Sequence, residues 1–127
     1  MESLKRKETL GTPNVFFSEK GILIISGKCL PENAINFFEP IIKKIDRFIE
    51  KNQSINITCE LEYINSSSSK VLYQLLEKVV NSGIKQTINW YYEEDDEDMK
   101  ELGEDYETLL KTDFNFKEIH VTLISEN

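Results

Sequence analysis

The chain has 127 residues, 39% of them apolar and 10% aromatic, which suffices for one domain with a proper core and leaves no room for a second. A formal net charge of −8 and a pI near 4.7 exclude a phosphate-backbone partner, since nucleic-acid binding needs a basic face, and make proteins the partners to expect. No run approaches the roughly 18 apolar residues of a membrane helix, and Met1 to Glu8 lack the apolar segment of a signal peptide, so a cytoplasmic chain without membrane insertion is expected. The N-x-S/T triplets at Asn52, Asn56 and Asn65 are then chance matches to a glycosylation pattern.

Residues 1–12 are polar and mixed in charge and end in Gly11-Thr12-Pro13, which predicts a flexible leader, with the domain spanning 13–127. Asn14 to Ser18 and Ile22 to Ser26 are short β-branched or aromatic runs around Glu19-Lys20-Gly21, the pattern of an antiparallel hairpin. Gly27 to Pro31 reads as a connection. Glu32-Asn33 then opens a helix whose apolar residues Ala34, Phe37, Phe38, Ile41, Ile42, Ile45, Phe48 and Ile49 keep helical spacing and form a core face. Pro40 removes one backbone hydrogen bond, which predicts a kink or a split near Phe38-Glu39.

Ile55 to Tyr63 alternates apolar and polar residues and is the central strand. It runs into Asn65-Ser66-Ser67-Ser68-Ser69 and then into a helix with the stripe Val71, Leu72, Leu75, Leu76, Val79 and Val80. Asn65 or Ser66 falls at the N-cap, where a side-chain oxygen accepts from an unpaired amide of the first turn. Counting back one turn from Val71 and Leu72 predicts Ser67 and Ser68 on the packed face, with Ser66 and Ser69 towards solvent. A phosphate on Ser66 would meet free amides and the positive end of the helix dipole, so the element could carry it without unfolding. Serine-rich helix starts are also common as plain caps, and from these residues alone both readings stand.

Asn81-Ser82-Gly83 closes that helix, and Gln86 to Tyr92 follows as a strand parallel to the central one through a βαβ crossover, with Trp90 and Tyr91-Tyr92 in the core. Glu93-Glu94-Asp95-Asp96-Glu97-Asp98 places six carboxylates in succession, a solvated loop leading to a third helix that starts around Asp96 or Glu97 and carries Met99, Leu102, Tyr106, Leu109 and Leu110. Both the serines and the acidic run follow the carboxyl ends of parallel strands, the edge where open α/β sheets usually dock ligands and partners. The acidic run is read as a docking surface, with an idle solvated face as the alternative. It lacks the spaced aspartates, glycine and distal glutamate of a calcium loop.

Phe114 to Ile124 supplies a last strand containing His120. With one histidine and two isolated cysteines, Cys29 and Cys59, no zinc site is expected, and the cysteines read as buried, neutral thiols. No nucleophile triad, phosphate-cradling glycine loop or cofactor motif is present, so the expectation is a protein that is not an enzyme. The order β-β-α-β-α-β-α-β predicts a small α/β domain on a mixed, mostly parallel sheet of about five strands with three or four helices.

Pro31-Glu32-Asn33, Phe38-Glu39-Pro40, Tyr63 to Lys70 and Asn89 to Met99 together resemble the SiaC family of bacterial regulatory phosphoproteins over about residues 12–118. The resemblance implies a STAS-like fold, like that of anti-sigma-factor antagonists, and a partner-switching role. In that role a serine/threonine kinase phosphorylates the protein, a PP2C-type phosphatase restores it, and the unphosphorylated form binds and activates a diguanylate cyclase, linking it to cyclic-di-GMP and biofilm control. The family's acceptor is the hydroxyl residue directly after the asparagine of a Tyr-x-Asn motif, often threonine; here it is Ser66, with Ser67 as the alternative within the serine run. The expected partner-binding set is Asn65, Ser66, Ser69, Tyr92, Glu93, Glu94, Asp95, Asp96, Glu97 and Asp98. Two rival functions stand beside the partner-switching role: an anti-sigma-factor antagonist-like binding module, which the STAS resemblance implies, and a metal- or nucleotide-binding enzyme that uses the acidic loop as ligands.

Overall fold

A computed structural model describes residues 3–120. Six strands and three helices follow one another as β1 (Leu4–Arg6), β2 (Asn14–Phe17), β3 (Ile22–Cys29), α1 (Ala34–Lys51), β4 (Ser54–Ile64), α2 (Ser66–Asn81), β5 (Lys85–Glu93), α3 (Glu97–Leu110) and β6 (Asn115–Ile119). The sheet keeps the chain order β1 to β6 from edge to edge. The first three strands are an antiparallel meander, and β3, β4, β5 and β6 are successive parallel neighbours, each pair joined by one helix.

Period-two burial explains why the strands form one half-buried sheet. Leu23, Ile57 and Ile88 stand in register on three neighbouring strands and are buried with Phe38, Ile41, Leu72, Leu75 and Trp90 in one continuous core. The other face carries the row Phe16, Ile24, Thr58, Asn89 and Asn115, in which Asn89 bonds to Asn56, Thr58 and Asn115. Among the described residues, no helix is long and apolar enough to cross a membrane.

The expected α/β domain on a mixed, mostly parallel sheet is present, and four details differ from the expectation. The sheet has six strands, the extra one being Leu4–Arg6 in the segment expected to be leader. Three residues carry no readable period; tertiary contacts hold them, with Leu4 against the core and the Arg6 guanidinium 5.4 Å from the Phe37 ring centre. β3 continues through the expected connection to Cys29, because Gly27, at φ +105°, absorbs a bulge within the ladder. α1 is one helix through Pro40, so the expected split does not occur, and Phe38, Ile41, Ile45 and Phe48 are seated in the core. β6 ends at Ile119 with His120 just beyond it, and the expected strand residues 121–124 lie outside the described residues.

Candidate functional site

The bulge decides what the site looks like. Gly27 pairs with Leu61 and Lys28 with Tyr63, so Glu62 is an extra residue on β4 and the in-out alternation reverses after it. Tyr63 therefore turns outwards, 56% exposed, and Ile64 turns in against the core. The chain enters α2 directly from this reversal.

Asn65 is the N-cap. Its side-chain oxygen accepts from the Ser68 amide at 3.0 Å, its side-chain amide donates to the Pro31 carbonyl at 3.2 Å, and its backbone amide donates to the Cys29 carbonyl at 3.0 Å. These bonds tie the helix start to the end of β3 and the entry to α1. The four serines are then distinguishable. Ser66 is exposed, and no bond to its hydroxyl occurs among the described residues; Ser67 is exposed and donates at 3.4 Å to Asn65. Ser69 is half-buried and donates to the Ser66 carbonyl at 2.9 Å. Ser68 is fully buried, with no nitrogen or oxygen partner for its hydroxyl, and lies against the Cys29 thiol. The expectation that Ser67 packs inwards fails because it faces the open cleft between the starts of α1 and α2; only Ser68 reaches the core.

A cleft of about 300 Å³ opens beside this turn, lined by Glu62, Tyr63, Ser66, Ser69, Asp96, Asp98, Met99 and Leu102. Serines and acidic run thus share one concavity. A second cleft of about 320 Å³ lies on the other flank, between the starts of α1 and α2, with Asn33, Ile35, Ser67 and Lys70 in its lining and Ile35 69% exposed. The acidic run itself is less of a loop than its composition suggests. Glu93 ends β5, Asp96 caps α3 by accepting from the Met99 amide at 3.0 Å, and Glu97 and Asp98 form the first helical turn, where negative charge is favoured. Of the expected partner-binding residues, Ser66, Ser69, Asp96 and Asp98 share the cleft and Asn65 lies beneath it. Tyr92 packs against the core, Glu93 lines a separate cleft with Glu8, Glu60 and Glu62, and Glu94 turns to His120.

α3 is held to the site by one aromatic cluster. Trp90 is buried, donates to the Met99 carbonyl at 2.9 Å and meets Tyr106 edge-on at 5.4 Å, and the Tyr106 hydroxyl donates to the Ser69 carbonyl. Burial pushes the Tyr106 hydroxyl well above its ordinary range, the nearby Cys59 thiol adds to this and the Ser69 side chain opposes it. Burial likewise pushes the Cys29 thiol up to about 11, with Ser68 opposing, and Cys59 to about 12, with Cys29 adding to it. Both are neutral, as the sequence reading expects. The single histidine, His120, lies with Glu94 and Glu118, one ligand atom of each within 4.8 Å of the others.

A model of the SiaC family regulatory phosphoproteins matches residues 6–119. The chain belongs to the SiaC family. A protein of Pseudomonas aeruginosa strain UCBPP-PA14 that is described as uncharacterized is 29% identical over 92 residues, 69% of this chain and 73% of the relative. Among solved structures, the chain is similar to one of the diguanylate cyclase SiaD in complex with its activator SiaC from P. aeruginosa, with TM-score 0.85 and 25% identity over 91% of this chain and 99% of the matched one. SiaC of the same organism alone gives TM-score 0.79 at 26% identity, covering 95% and 100%, and its apo form 0.77 at 28%, covering 93% and 98%.

The segment from Tyr63 to Lys70 runs through the bulge and the cap and borders both clefts. Sequence reasoning missed Tyr63 and Ile35 as exposed lining residues: Tyr63 because strand alternation gives no sign of a bulge on the partner pairing, Ile35 because the α1 stripe marks only the buried face. A large apolar residue just off the α1 stripe was the one available signal for Ile35.

Proposed function

We propose that this SiaC-family protein is a non-catalytic cytoplasmic switch. Its unphosphorylated form binds and activates a diguanylate cyclase, a serine/threonine kinase phosphorylates Ser66, and a PP2C-type phosphatase reverses the modification. The observation that carries the reading is the state of the four hydroxyls: Ser66 alone is exposed, unengaged among the described residues and part of the cleft that also holds Asp96 and Asp98. Ser67 is the second choice.

Two opposed electrostatic effects give the switch its logic. About two negative charges at the first residue of α2 meet the positive end of the helix dipole, worth about 0.3–1 kcal/mol, so the fold tolerates the phosphate. The same charges add to Glu62, Asp96 and Asp98 around one cleft, and a partner surface matched to the neutral serine then faces like-charge repulsion of about several kcal/mol. Binding is lost and the fold is kept. The activator role named for the similar P. aeruginosa SiaC makes a diguanylate cyclase the partner to test.

The experiment is phosphopeptide mapping after incubation with ATP and a partner-switching kinase, with Ser66→Ala and Ser67→Ala in parallel, followed by calorimetric titration of a diguanylate cyclase into wild type and Ser66→Asp. A single phosphate on Ser66 and loss of cyclase binding in Ser66→Asp are expected. A phosphate confined to another residue, or Ser66→Asp binding as tightly as wild type, refutes the mechanism.

A further inference from the structure

We propose that Glu94, Glu118 and His120 form a binding site for a divalent cation of the zinc class. The three residues each offer a ligand atom within 4.8 Å of the others. His120 Nδ1 stands 2.7 Å from Glu94 Oε2, and Nε2 stands 3.8 Å from Glu118 Oε2. The parallel ladder holds their backbones: Tyr92 pairs with Glu118, Glu93 with Ile119, and the Glu94 amide donates to the Ile119 carbonyl at 3.1 Å. Glu118 near the end of β6 and His120 just past it stand beside Glu94, the residue that leaves the neighbouring strand.

The donor set selects the class of ion. One imidazole nitrogen with two carboxylates suits a borderline cation that takes four ligands, with water completing the shell, whereas calcium and magnesium favour shells built of oxygen. Zinc-bound atoms at about 2 Å from the metal stand roughly 3.3 Å apart, which exposed side chains reach from the present spacing by rotation about their own bonds. Charge acts in the same direction. Two carboxylates flank the imidazole, Glu94 at Nδ1 and Glu118 at Nε2, and a divalent cation offsets both of their charges. The cysteines offer no competing site, since both are buried. The bound ion would join the end of β6 to the turn between β5 and α3, and the site stands independently of what happens at Ser66.

The test is isothermal titration of the metal-free full chain with zinc chloride in millimolar magnesium, repeated with His120→Ala and Glu118→Gln, with cobalt(II) absorption as a second probe of an imidazole-containing shell. One zinc per chain is expected, with affinity falling at least about tenfold in each variant and the visible cobalt bands lost in His120→Ala. All three side chains are exposed, so the metal-free variants keep the wild-type urea midpoint. Absence of zinc binding overturns the proposal, as does binding that survives His120→Ala, which would place the ion on the acidic run instead.

Discussion

Replacing Gly103 by alanine sets two effects of opposite sign against each other in α3. An added Cβ would stand 2.4 Å from Trp90 Cδ1, 2.5 Å from Nε1 and 2.8 Å from Cγ, about 1 Å inside ordinary contact. The indole cannot swing away cheaply, because it is fully buried, bonded to the Met99 carbonyl and stacked among Tyr106 and Phe114. Overpacking of this kind costs about 1–3 kcal/mol, and losing the indole bond about 1–3 kcal/mol more. Alanine's helix propensity returns about 1 kcal/mol. The net expectation is a loss near 3 kcal/mol, read as a lower urea midpoint at unchanged slope, with Trp90, the single tryptophan, as the fluorescent reporter. A midpoint equal to or above wild type would show that propensity wins, and that α3 is not seated on the indole. The seating matters because Met99 and Leu102, on the same helix, line the Ser66 cleft.

Asn65→Ala removes both the cap on Ser68 and the tie to Pro31 and should lower stability by about 1–2 kcal/mol in urea unfolding; Asn65→Asp, which keeps the capping oxygen and loses the donor, should fall between it and wild type. The thiols predict an alkaline limit. Their ordinary value is 9.0 and the fold raises them to about 11 and about 12, so above pH 9 the unfolded chain releases protons that the folded chain keeps. Stability should be level below pH 9 and decline from there towards pH 12, and urea midpoints at pH 8 and pH 10 in a double Cys29→Ala, Cys59→Ala variant should lose that part of the decline.

Much of this protein is legible along the chain, because burial is periodic where neighbours in sequence share a face. The alternation of Ile55, Ile57 and Cys59, the stripe from Val71 to Val79 and the glycine stop at Gly83 specify strand, helix and end by local chemistry alone, and the motif from Tyr63 to Lys70 points to the site. What pairing across strands decides leaves no such trace. Leu4–Arg6 is a strand because β2 offers it an edge, Tyr63 faces outwards because Gly27 lets β3 take one residue fewer than β4, and Pro40 stays helical because its neighbours are anchored in the core. The sorting of four identical serines likewise depends on what packs around the first turn of α2, which buries Ser68 and leaves Ser66 and Ser67 exposed. His120 is one histidine in the sequence; Glu94 joins Glu118 beside it only because β5 and β6 run parallel in that register, a contact between residues that the chain holds 26 positions apart.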